Sequence, residues 1–262
     1  MGMKFHIDRL KTYYKAIFFV GLLLPAFQVE AQKTEVKNKF GCVSGNCASG
    51  TGTYLYSDGS RYEGHWSKYK RHGKGKYYYS DSSSYSGEWV ADRRKGHGTY
   101  IFPAGDSCVG NWLNDSCSGF ATYYFKSGAK YIGNWKRDTM YGQGTYLYVD
   151  GSEYTGNWAG GKRSGKGTCR YSGGSTYSGE WKNDFRDGYG IAHFKDSARY
   201  EGEWVRDTIN GNGKYFFANG AKYDGSWLNG YHHGVGTFTF ADGGIYTGSW
   251  DKGQRKGQGT DI

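Results

Sequence analysis

The sequence predicts an all-β protein: an elongated, single-layer antiparallel sheet of about ten stacked 23-residue β-hairpins, twisted into an open groove. Three observations carry this expectation. The nine tryptophans, Trp66, Trp89, Trp112, Trp135, Trp158, Trp181, Trp204, Trp227 and Trp250, each stand 23 residues from the next. Glycine follows the same ruler, with 36 of the 45 glycines at fixed places in the period. Around each Trp, bulky and small residues alternate with polar ones at period two, the pattern of a strand with one covered face. A fixed period of this length marks a repeat architecture, in which each unit packs mainly on its neighbours.

Composition narrows the alternatives. The chain is poor in branched aliphatics and carries a net charge of +10, which in most sequences indicates disorder. Its 49 aromatic residues exclude that reading, because each ring buries a large apolar area. A layered aliphatic core, coiled coils and collagen-like triplets are excluded as well. Helix is opposed by the glycine density, at roughly 1 kcal/mol per interior position.

Residues 1–31 read as a secretory signal peptide. Lys4, Arg9, Lys11 and Lys15 precede the apolar run AIFFVGLLLPAF, and small residues end at Ala31. That order of basic, apolar and small residues is read by the export machinery. The run is broken by Pro25 and falls short of the roughly 20 residues a bilayer span needs. An exported protein is therefore expected, periplasmic, cell-surface or secreted. Residues 32–38 form a short linker, and the array occupies 39–262.

Units begin at 39, 62, 85, 108, 131, 154, 177, 200, 223 and 246, the first being partial. Counting from each start, offset 0 is Tyr (Tyr62, Tyr85, Tyr131, Tyr154, Tyr177, Tyr200, Tyr223, Tyr246), with Cys108 the exception among full units. Offsets 2 and 11 are Gly throughout, offset 13 is Gly except Ala121, and offset 17 is Tyr or Phe. Tyr-x-Gly-x-Trp makes one strand and Gly-x-Gly-x-Tyr-x-Tyr/Phe the next. Offsets 5–10 form the polar hairpin turn, and offsets 18–22, often Asp-Gly-Ser or Ser-Gly-Ala, lead into the next unit. Glycine opposite a bulky residue lets a ring lie across the neighbouring strand. Twenty strands at ~4.8 Å give a ribbon of about 95 Å.

These motifs resemble the MORN repeat (membrane occupation and recognition nexus) over residues 39 to 262. The departures are Cys108 in place of Tyr, Ala121, Ser82 and Ser197 in place of Gly, and Lys39 and Val43 in place of Tyr and Trp in the first unit, which is expected to act as a cap. The resemblance implies a twisted sheet curled into an aromatic-lined groove, with roles in scaffolding, oligomerisation and, in some members, membrane-lipid contact. Related repeats accompany kinase or methyltransferase domains. No residues remain here for one, so a phosphatidylinositol phosphate kinase label inherited through the repeats is not supported.

Two contact surfaces are expected. The nine full turns together carry +9, against −1 on the rest of the array and linker. The excess is densest at Lys68, Lys70, Arg71, Arg93, Arg94, Lys95, Lys162, Arg163, Arg255 and Lys256. Such an edge suits an anionic lipid surface, a polyanionic envelope polymer or an acidic protein; its plain alternative is solubility. Nucleic acid is not expected for an exported chain. The aromatics at offsets 0, 4, 15 and 17 hold the sheet and line the groove, where a protein partner or a glycan would bind. Unpaired terminal strands, or the groove itself, offer a route to a homodimer.

No catalytic role is expected, and neither a metal nor a cofactor. Gly160 to Gly167 imitates a phosphate-binding loop, but Gly167 replaces the hydroxyl that would hold magnesium, and a hairpin turn surrounds it. His72, His97, His232 and His233 read as solvated turn residues. The acidic residues Glu63, Glu88, Glu180 and Glu203 fall on the face opposite the aromatics, away from the expected groove. Cys42 and Cys47 flank the first turn and are placed to bridge. Straight strands would hold Cys108 and Cys117 roughly 15 Å apart or more, too far for a disulfide, and Cys169 lies two units along.

Overall fold

The computed structural model describes residues 40–261. The expected signal peptide, the whole of the expected linker and Lys39 lie outside them. The described residues form one antiparallel sheet of twenty strands, from β1 (Gly41–Gly45) and β2 (Ser49–Leu55) to β20 (Gln254–Asp261). Each strand pairs with its sequence neighbours, and β1 and β20 pair on one side only, so the sheet is open. It is an all-β ribbon of ten hairpins.

Within a unit, the hairpin of β3 (Arg61–Ser67) and β4 (Lys70–Tyr78) sets the pattern. Tyr62 faces Tyr77, Gly64 faces Gly75 and Trp66 faces Arg71, with a register shift between Gly64 and Trp66. Between units the register runs unbroken, Gly73 against Trp89 and Gly75 against Gly87. The tip is a two-residue turn with both residues at positive φ, as in Lys68 (52°) and Tyr69 (60°). That conformation matches the right-handed twist of the flanking strands. Ser82 and Ser197 take φ of 71° and 70° in the inter-unit turn where the other units have glycine.

The hairpin folds over toward its aromatic face. The register shift and a positive-φ glycine at offset 11, such as Gly73 at 65°, lie at the bend. The Tyr62 ring lies across the Gly64–Gly75 pair inside it: a Cβ on Gly75 would meet Tyr62 Oη at 2.1 Å. Hence glycine is required at this crossing.

Candidate interaction surface at the hairpin tips

The inside of the bend is filled by its own rings. Tyr62 packs edge-to-face on Trp66 at 5.0 Å and on Trp89 of the next unit at 5.5 Å. The same double contact recurs at Tyr131, Tyr154, Tyr177, Tyr200 and Tyr223. Tyr85 bridges Trp89 and Trp112, and Tyr246 packs on Trp250. Offset edge contacts of this kind add to plain burial. Each indole N–H donates to a carbonyl at offset 13 of the preceding unit, as Trp66 does to Gly52 at 3.1 Å and Trp158 to Gly144 at 3.1 Å. Each Tyr hydroxyl donates to a carbonyl three residues on, as Tyr177 does to Glu180 at 3.0 Å. Burial pushes the Tyr56 hydroxyl up to about 12 and raises Tyr62 and Tyr154 further. The offset-0 tyrosines and eight of the tryptophans are buried, Trp135 being half-buried. They form the core, so little of their surface is left to line a groove.

The basic turn residues divide into two sets. Arg71, Arg94 and Arg163 are half-buried at offset 9 and turned inward. Arg163 lies 4.2 Å over the Trp181 ring and its Nε is 3.4 Å from Asp184 Oδ1, while its Nη2 donates to the Asp184 carbonyl at 2.7 Å. Arg71 meets Trp89 and Asp92 in the same way, and Arg94 meets Trp112 and Asp115. Arg186 repeats the contact with Trp204 and Asp207. These arginines tie one unit to the next, and their charge is matched by an aspartate 21 residues on. They do not belong to a free basic edge. Arg255 lies 4.3 Å over the Tyr246 ring, and Lys256 pairs with Asp251 at 3.2 Å. Lys68, Lys70, Arg93, Lys95 and Lys162 are exposed at the tips.

Apolar side chains share the outward face of the tips. Tyr69 is 79% exposed, and Val90, Leu113, Phe185, Val205, Leu228 and Tyr231 are exposed as well. In the ladder Leu228 pairs with Tyr231, one step from the turn. No residue type at these places is fixed by the period, so periodicity alone could not single them out.

A cavity of about 830 Å³ lies on the polar face near the N-terminal end. Glu63, His65, Lys74, Lys76, Glu88 and His97 line it between glycines. Glu63 and Glu88 lie on the face opposite the aromatics, as expected, and that face carries this hollow of its own. His65 Nδ1 lies 3.0 Å from the Lys74 carbonyl. Among the described residues no three His, Cys, Asp or Glu are placed to hold a metal ion.

Two further expectations are corrected. His232 is not solvated: it stacks on Tyr223 at 3.7 Å and lies against Trp227 and Trp250. Burial holds its pKa down at about 4. Cys108 and Cys117 are not far apart, because the bend brings Sγ to Sγ at 2.8 Å. Straight-strand rise failed as a ruler across a folded hairpin. Cys42 and Cys47 are joined by a disulfide with Cα atoms 5.9 Å apart.

The MORN-repeat family model matches ten successive segments, beginning with 41–61 and 62–84 and ending with 246–260. The chain belongs to the MORN-repeat family. The matches run over nearly all the described residues and identify no attached catalytic domain. No curated protein matches the chain by sequence. Among solved structures, the TCP10 domain of Danio rerio CPAP in complex with a peptide of Danio rerio STIL is 10% identical. That match covers 80% of this chain and 93% of the other at a TM-score of 0.47. The SAS-4 (dCPAP) TCP domain of Drosophila melanogaster, bound to a proline-rich motif of Ana2, is 14% identical. It covers 58% of this chain and 83% of that one at a TM-score of 0.36.

Proposed function

We propose that this MORN-repeat protein is a non-catalytic scaffold that binds a protein partner along its hairpin tips. The observation that carries the reading is the set of outward apolar side chains on successive rigid tips, Phe185, Val205, Leu228 and Tyr231 among them. Exposed apolar residues that recur along one line of a surface indicate contact with another molecule. Their spacing lets several weak contacts add into avidity. Leu228→Asp/Tyr231→Asp is expected to abolish partner co-purification while leaving the circular dichroism and unfolding midpoint of the chain unchanged. Equal recovery of the same partner by both proteins would remove the tips from the interface.

A second reading is favoured by the first tips. Tyr69 stands 79% exposed between exposed Lys68 and Lys70, with Arg93 and Lys95 on the next tip. A ring flanked by cations suits the surface of an anionic bilayer. Co-sedimentation with phosphatidylserine vesicles should fall with salt and be lost in Lys68→Glu/Lys70→Glu. Binding that survives both would point away from this tip. A sugar chain stacks on exposed ring faces, which the buried tyrosines of the ladder do not offer.

Export belongs to the same proposal. It is supported by the order of residues in 1–31 and by the Cys42–Cys47 disulfide, a bond that persists in oxidising compartments. N-terminal sequencing of the chain from its native source should begin near Gln32; a mature chain starting at Met1 would argue against it. Among the described residues the outer edges of β1 and β20 carry no strand, which gives two copies a way to join end to end that light scattering against concentration would reveal.

A further inference from the structure

The 108–130 unit breaks the repeat at three positions of its aromatic face, and the three adjoin. Cys108 stands where the other full units have Tyr. Cys117 stands at offset 9, which is Arg in five of the other full units (Arg71, Arg94, Arg163, Arg186 and Arg255) and Met140, Ile209 or His232 in the remaining three, and Ala121 replaces Gly. In the other units offset 9 reaches back over the bend to offset 0: Arg94 lies 5.7 Å from the Tyr85 ring and Arg163 5.7 Å from Tyr154. Here the same reach brings two buried sulfurs to 2.8 Å.

The third change follows from the first. In tyrosine units a Cβ at offset 13 would lie 2.1 to 2.7 Å from the ring hydroxyl, at 2.1 Å for Gly75 and 2.3 Å for Gly98. With no ring at 108, a methyl is admitted at 121. Asp138 still receives the Cys117 N–H at 2.7 Å, as Asp184 receives that of Arg163 at 2.9 Å. The unit therefore keeps the frame of the repeat and exchanges only the pair inside it.

We propose that Cys108 and Cys117 form a second intrachain disulfide, a staple between β7 (Ser107–Leu113) and β8 (Ser116–Tyr124) that takes the place of the tyrosine–arginine contact made by units such as those of Arg94 and Arg163. The oxidant is a disulfide of the glutathione or protein class. One thiolate attacks a sulfur of the donor and releases the first donor thiolate. The second cysteine, as thiolate, attacks the cysteine sulfur of the mixed disulfide and releases the other. Two electrons pass to the donor, which leaves as two thiols carrying the two protons. In the folded, reduced hairpin the Cys108 contact and burial raise the Cys117 thiol, which slows attack. Exchange therefore belongs to folding, before the hairpin closes.

The test maps the bonds directly. The full chain, refolded across a series of reduced and oxidised glutathione ending in the oxidised form alone, is alkylated under denaturing, non-reducing conditions. Cleavage before aspartate then separates 106–114 from 115–137. A linked pair of these peptides, two hydrogens lighter than the free thiol peptides together, with Cys169 alkylated, is the expected result. Separate alkylated peptides throughout the series, or either cysteine joined to Cys169 or to another chain, would overturn the proposal. Reductant should also lower the wild-type unfolding midpoint by on the order of 5 °C more than that of Cys108→Tyr/Cys117→Arg/Ala121→Gly. Both proteins keep Cys42 and Cys47, so an equal shift would deny the pair its role as a staple.

Discussion

The units 85–107 and 108–130 are neighbours of equal length and equal register, yet their cores differ. In the first, Tyr85 sits between Trp89 and Trp112, and Arg94 covers it. In the second no ring stands between Trp112 and Trp135. The buried core accordingly falls into two clusters, Cys47 to Ala121 and Tyr131 to Trp250, which share only the partly buried Tyr123 and Trp135. Trp135, beside the missing ring, is half-buried while the other tryptophans are buried. The difference teaches that Tyr, Arg and Gly inside the bend are one coupled choice. Changing the ring changes what the other two positions admit.

The largest effect should come from imposing the gap elsewhere. Tyr177→Ala removes a fully buried ring with edge contacts to Trp181 and Trp204, and should cost about 3–5 kcal/mol in denaturant unfolding. A cost below 1 kcal/mol would mean that the ladder closes over such gaps and that Cys108 needs no special explanation. Gly167→Ala comes next. Its methyl would lie 2.3 Å from Tyr154 Oη, an overpacking of roughly 1–3 kcal/mol. The reverse change where the ring is absent, Ala121→Gly, should cost only about 0.5–1 kcal/mol. Equal costs would break the coupling.

His232 sharpens a second contrast, between arginine units and those with another residue at offset 9. Its folded pKa of about 4 lies below the usual histidine value of 6.5 because burial disfavours the charged ring. As pH falls through 6.5 the unfolded chain takes up a proton that the folded chain refuses. Stability present above that pH is therefore lost progressively down to about pH 4. The ring is partly exposed, so the loss should be on the order of 1 kcal/mol after solvent screening. His232→Met should remove this slope from the pH dependence of the unfolding midpoint; an unchanged slope would place its origin elsewhere.

The smallest effect is the arginine–aspartate tie. A double-mutant cycle of Arg163→Ala and Asp184→Ala should give a coupling of about 0.5–1 kcal/mol. Its partner experiment is constructive. Met140 and Ile209 stand at offset 9, and the residues 21 further on are Gly161 and Gly230. Installing Met140→Arg with Gly161→Asp should gain a few tenths of a kcal/mol more than the two single changes together. No coupling in either cycle would reduce the tie to a packing contact of the guanidinium on Trp.

Much of this was open to reading from residue order. Trp at every 23rd place, glycine at offsets 2, 11 and 13, and alternation around them determine that the chain forms stacked hairpins with rings on one face, because period two assigns faces. The arginine–aspartate spacing of 21 was also legible, in four pairs from Arg71–Asp92 to Arg186–Asp207, though only as a correlation. What the tertiary structure decided was the bend. A register shift beside Gly64 and a positive φ at Gly73 fold the hairpin on itself, and alternation carries no information about curvature. That fold turned the aromatic face from a groove into a core and drew Arg71 and Arg94 in from the tips. It also brought Cys108 to Cys117. Which residues share a face is a matter of parity along the strand; which of them touch depends on where the strand turns.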